Sequence, residues 1–133
     1  MAALIVIGCA KTDPREQQRK LAGYWEIKTV QLPDRAQKEY NISTTIDYIE
    51  VTENRGTRKK VRPNIEGTFH GTPLVENFDI KIEADSLILY YETPFYSWKE
   101  TVIKAEDSLL VIKNKDGKIY RYKKFRPVTL GGG

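Results

Sequence analysis

From Leu21 onward the chain alternates apolar and polar residues with a period of two, in short segments that each end on turn residues. The clearest segment is Asn77 to Ala84, where Phe78, Ile80 and Ile82 point one way and Asp79, Lys81 and Glu83 the other. Strands are also predicted over Leu21–Leu32, Thr45–Glu53 (rich in β-branched residues), Thr57–Thr68, Leu87–Glu92, Tyr96–Glu106, Leu109–Lys113 and Lys118–Phe125. Asn54-Arg55-Gly56, Asp85-Ser86, Thr93-Pro94, Asp107-Ser108 and Asn114-Lys115-Asp116-Gly117 supply the turns between them. About eight strands at short spacing, joined by hairpin turns, argue an all-β domain, either a meandering barrel or a sandwich. Asp34 to Ser43 reads equally as a helical turn or an open loop.

Composition narrows what such a domain does. The 133 residues fit one domain, and 40% apolar with 30% charged residues supports one modest core. The net charge of +4 is a mild excess, short of the dense basic surfaces that grip duplexes, so nucleic acid is not an expected partner. One Cys and one His give neither a disulfide nor a zinc-site spacing. No cofactor is expected. No nucleophile with a motif-related base and no recognisable carboxylate pair occurs, so the expected protein is not an enzyme.

The N-terminus reads MAALIVIGC. An apolar run ending in a small residue looks like the tail of a secretory signal. Val6-Ile7-Gly8-Cys9 resembles the bacterial lipobox, in which the preceding peptide is removed and the Cys thiol carries lipid. The other reading is a first strand with a buried free Cys. The lipobox is preferred because the polar segment Ala10–Lys20 follows at once. In that resemblance, Ala10 after the Cys implies sorting to the outer membrane, with the protein facing the periplasm or the cell surface. The expected layout is a partial signal over 1–8, a lipid-anchored tether over 9–20, a barrel over 21–126 and a flexible tail over 127–133. Asp13-Pro14 predicts the cap of a short helix running to Lys20.

At Gly23-Tyr24-Trp25 the chain resembles the lipocalin superfamily, whose first strand begins Gly-x-Trp. With the lipobox and the meander, it resembles the lipocalin-like lipoproteins of Gram-negative bacteria, Bacteroidota in particular. That resemblance implies a small antiparallel up-and-down barrel of about eight strands, with a short N-terminal helix or tether. It also implies that Gly23 and Trp25 close one barrel end and that an Arg on the last strand covers Trp25. Arg121 is the expected residue, with Arg126 second, because Arg121 shares the parity of Ile119 and Phe125.

Tyr90 to Trp98 places five aromatics in nine residues around one turn. Strands of small barrels bury aromatics routinely, so most of these belong to the core. Phe95 and Tyr96 are the turn-tip candidates for a ligand or partner surface, with Trp98 and Tyr91 supporting them. Arg55, Arg58, Lys59, Lys60 and Arg62 cluster on one hairpin and read as a solvated, edge-protecting face. The lone His70 reads as a loop residue rather than a haem ligand. The expected function is a lipid-anchored envelope module for a small apolar or amphipathic ligand. The alternative is a lipoprotein that contacts another protein, as an inhibitor of a lysozyme or protease or as an accessory subunit of an envelope complex.

Overall fold

The computed structural model describes residues 13–39, 46–63 and 69–126, with the backbone alone at 62–63 and 69–74. The signal, Cys9, the first part of the tether and the tail at 127–133 lie outside the described residues, as does the side chain of His70.

Among the described residues, one helix precedes nine strands: α1 (Pro14–Lys20), β1 (Gly23–Gln31), β2 (Gln37–Glu39), β3 (Ile46–Thr52), β4 (Arg55–Pro63), β5 (Phe69–Glu83), β6 (Ser86–Glu92), β7 (Ser97–Ala105), β8 (Leu109–Asn114) and β9 (Ile119–Lys124). All pairings are antiparallel. β1 and β3–β9 meander in order, and β9 returns to pair with β1, with Trp25 opposite Lys124 and Gln31 opposite Ile119. The result is the closed eight-stranded barrel that the alternation and the Gly-x-Trp strand lead one to expect. The short β2 lies beside the outer half of β1, from Thr29 to Gln31, while β3 takes the inner half, from Gly23 to Trp25. Thus the stretch whose structure the alternation leaves open begins as a turn and a three-residue strand. Register shifts in β1, β4 and β7 curl the sheet into closure.

The two barrel ends differ. Around the start of β1 the interior is packed with Leu21, Trp25, Ile49, Ile80, Leu87, Leu89, Leu110 and Ile112. Asp13 caps α1, its Oδ1 accepting from Arg15 N at 3.0 Å, and Pro14 opens the helix without losing a bonded N–H. The helix lies over this end. Gln17 is buried and donates to Ile103 O at 3.5 Å, and Gln18 donates to Glu53 O at 2.6 Å. Trp25 is fully buried and donates from its indole to Leu21 O at 2.8 Å, so the helix exit and the first strand are pinned together.

The cation above Trp25 is Lys124, not Arg121. Lys124 Nζ sits 4.5 Å from the indole centroid and donates to Ala22 O at 2.9 Å. Tyr120, Tyr122 and Lys124 carry the inward parity of β9, so Arg121 faces out and its guanidinium donates to Gln31 Oε1 at 3.1 Å. Ile119 is apolar yet faces out on the same side as Arg121, and Phe125 lies past the end of the strand, so neither marks the inner face. Gly23 has φ +134, and a Cβ there would run into the Lys124 ammonium. The glycine of Gly-x-Trp is therefore where the lysine chain crosses to reach the indole.

Candidate functional site

Charged side chains enter the barrel toward its other, open end. β3 turns Asp47 inward, in line with Ile49 and Val51, and β7 turns Glu100 inward between Trp98 and Val102. A carboxylate on an apolar face needs a partner, because burying an unpaired charge is costly. Arg58 of β4 supplies it. Its Nη2 lies 2.6 Å from Asp47 Oδ2 and its Nε 3.1 Å from the same oxygen. Nη1 lies 3.1 Å from Glu100 Oε1 and 3.2 Å from the Tyr91 hydroxyl, and Nη2 also donates to the Tyr122 hydroxyl at 2.7 Å. The Arg58 side chain is only 12% exposed. One guanidinium thus ties β3, β6, β7 and β9 across the barrel.

The hairpin cluster therefore divides. Arg55 stays outside against Asp79 and Lys59 lies over the Tyr48 ring, but Arg58 is the buried centre of the interior rather than part of a solvated face. Lys60, largely exposed, bonds Asp47 Oδ1 at 3.2 Å.

Burial alone would raise the Asp47 pKa, but Arg58 and Lys60 outweigh it and hold the carboxyl below its ordinary value. Burial would likewise lower the Arg58 pKa, yet the hydroxyls and carboxylates around it shift it well upward. The hydroxyls of Tyr91 and Tyr122 are pushed up, chiefly by burial. Glu76 of β5 stands apart: burial, with Glu100 and Asp47 near it, raises its pKa despite the opposing pull of Arg58. It lies directly across from Arg58 in the β4–β5 ladder, but its carboxylate hydrogen-bonds no described side chain.

Above this network lies a cavity of about 200 Å³, lined by Asp47, Arg58, Lys60, Glu76, Tyr91, Trp98, Glu100, Tyr120 and Tyr122. Trp98 stacks flat on Tyr91, with ring centroids 5.0 Å apart and planes 1° apart. A larger groove of about 620 Å³ runs over the outer face, lined by side chains such as Glu50, Thr57, Asp79 and Tyr90, and it has no such buried ionic centre. The barrel interior is thus packed at the closed end and holds a small polar cavity toward the open one.

The β6–β7 turn stands at the open end. Thr93 N donates to Tyr96 O at 2.7 Å, and Thr93 Oγ1 accepts from Phe95 N at 3.3 Å and Tyr96 N at 3.0 Å. Phe95 is 87% exposed and Tyr96 74% exposed. The four aromatics singled out in the sequence therefore separate into two pairs: Phe95 and Tyr96 on an ordered outer tip, and Tyr91 with Trp98 stacked within the cavity wall. The charged residues of the cavity, namely Arg58, Lys60, Asp47, Glu76 and Glu100, are absent from the sequence-derived site. Two acids at inward positions of different strands were the signal that a buried cation must meet them.

A family model described as a lipocalin-like domain matches residues 21–124. Among solved structures, the fold is similar to a lipocalin-like protein from Bacteroides uniformis ATCC 8492, at TM-score 0.50 and 12% identity over 80% of this chain and 99% of that one. An uncharacterized protein from Bacteroides eggerthii DSM 20697 is also similar, at TM-score 0.48 and 13% identity over 78% of this chain and 98% of that one. No curated protein matches.

Proposed function

The chain belongs to the lipocalin-like domain family, and from that membership we propose a non-enzymatic binding module of the cell envelope that takes a small amphipathic ligand at its open end. The observation that carries this reading is the cavity of about 200 Å³ above Arg58, walled by stacked aromatics on one side and charged groups on the other. Ligand pockets commonly combine apolar walls with a few fixed polar groups. The volume lies below the ~300–1,000 Å³ of drug-sized sites, which favours a compact ligand over a long apolar one. Asp47 and Glu100 are both engaged by Arg58, which favours a binding role over acid–base catalysis. The test is a two-dimensional NMR titration with compact amphipathic compounds. Saturable shifts clustered at Tyr91, Trp98, Glu100 and Tyr120 support the reading. Shifts confined to the outer face, or none with any compound, overturn it.

In the same proposal, Cys9 carries the lipid that holds the module to the membrane. Cys9→Ser in the full precursor is expected to leave it unprocessed or released. Unchanged processing and fractionation would remove the anchor from the proposal.

A second reading, a contact with another envelope protein, rests on Phe95 and Tyr96. Two adjacent exposed rings on a turn tied by Thr93 and stiffened by Pro94 form an anchor with little ordering cost. Crosslinking from Tyr96 in native membranes is expected to capture a defined partner under this reading. Capture of lipid or of nothing discards it.

A further inference from the structure

We propose that the open-end cavity selects a small organic cation, an amine bearing one compact apolar or aromatic group. This deepens the binding reading above and rests on it. A buried Arg flanked by tyrosines inside a barrel suggests at first a receptor for carboxylates. Here the chain's own acids already occupy the guanidinium: Asp47 takes Nε and Nη2, and Glu100 takes Nη1. The Tyr91 and Tyr122 hydroxyls take further bonds from it. An anionic ligand would have to displace one of these carboxylates while lying close to Glu76.

The charges of the lining point the other way. Among the described lining residues, Asp47, Glu76 and Glu100 face Arg58 and Lys60, so three acids meet two bases and this lining carries one net negative charge. Glu76 is the acid left over. Arg58 bonds the other two, Lys60 is drawn to Asp47, and the Glu76 carboxylate hydrogen-bonds no described side chain. Burial first, then the neighbouring Glu100 and Asp47, raise its pKa against the pull of Arg58 and Lys60. An ammonium group bound beside it restores the balance. The electron-rich rings of Trp98 and Tyr120 line the same space, and a cation over such a face gains further attraction. The apolar part of the ligand then lies against the Trp98–Tyr91 stack.

Three compact probes of similar shape and different charge test the inference: phenethylamine, 2-phenylethanol and 3-phenylpropanoate. The full chain has two tryptophans, so its spectrum carries two indole N–H signals. Trp98 lines the cavity and Trp25 is buried at the far end, which makes Trp25 an internal control for folding. Phenethylamine is expected to shift the Trp98 indole signal saturably at pH 7 and leave that of Trp25 in place. Binding of the alcohol, and binding of the amine to Glu76→Gln, are each expected to be weaker by about tenfold or more. The propanoate should not bind. If the alcohol or the propanoate binds as tightly as the amine, or Glu76→Gln binds the amine unchanged, charge selection is wrong while binding at the open end survives. If none of the three probes moves Trp98, both the inference and the binding reading fall.

Discussion

At the scale of single residues, Arg58 holds the greatest consequence. Replacing it with Met leaves Asp47 and Glu100 in the barrel without their cation, and breaking a buried pair from one side costs about 3–5 kcal/mol. Arg58→Met is expected to lower the urea midpoint sharply at pH 7. The wild-type contribution of Asp47 follows from its depressed pKa. It is fully present above the ordinary value of 3.8 and is lost as pH falls through the lower folded value. The gap between wild type and Arg58→Met should therefore narrow in acid, and a gap that stays constant down to pH 2 would contradict the pairing. Glu76 carries the opposite sign. Its folded pKa is raised, so its ionisation costs stability as pH rises from the ordinary 4.5 through the folded value. Glu76→Gln is expected to raise Tm at pH 7, with the advantage fading below about pH 4. A Tm that falls at pH 7 would show that the carboxylate is needed structurally. These charges were poorly legible in the sequence for one reason. A basic run on a hairpin looks alike whether its alternate side chains enter water or a barrel, and the difference is set by acids on β3 and β7, far away in the chain.

At the scale of elements, the closed end and the β6–β7 tip should respond to truncation in contrasting ways. Trp25 fills the floor beneath α1 and bonds Leu21 O, so Trp25→Ala is expected to cost about 3–5 kcal/mol by chemical denaturation. A loss below about 1 kcal/mol would mean the floor refills without it. Phe95→Ala and Tyr96→Ala, on a tip held by Thr93, should each change stability by less than about 0.5 kcal/mol. Strong destabilisation by either would place that ring in the core. The elements themselves were legible because period-two alternation and turn residues are local signals. Asp13-Pro14 marked α1, and Asn114 to Gly117 marked the last hairpin, where Asn114 Oδ1 accepts from Lys118 N at 2.9 Å and Gly117 takes φ +84. What alternation could not carry was parity across irregularities. The register shift in β4 between Lys59 and Val61 lets Arg58 and Val61 both turn inward, which an unbroken parity count forbids. The exchange of Arg121 for Lys124 over Trp25 has a different origin: Ile119 is an apolar residue on the outward face of β9, so its parity points the wrong way.

At the scale of the whole molecule, the barrel has a polarity that bears on how an anchored protein would present its site. α1 and the Trp25 floor share one end, while the cavity and the Phe95–Tyr96 tip share the other. Four residues' span separates Cys9 from Asp13, at most about 14 Å of chain. Lipidation of Cys9, as proposed, would therefore hold the closed end near the bilayer. A nine-residue strand such as β1, tilted as barrel strands are, sets the open end about 20–25 Å farther out. The orientation follows from chain length alone and needs no contact between the barrel and the lipid. Spin labels on the lipidated protein in vesicles test it, one at Asp107→Cys in the β7–β8 turn of the closed end and one at Tyr96→Cys on the tip. Relaxation by a nickel-chelating lipid is expected to be stronger at position 107. Equal relaxation would mean that the barrel lies on its side, and stronger relaxation at 96 would mean that the aromatic tip meets the membrane. In that last case the cavity would open against lipid headgroups, and the ligand would have to arrive from the bilayer surface rather than from solution.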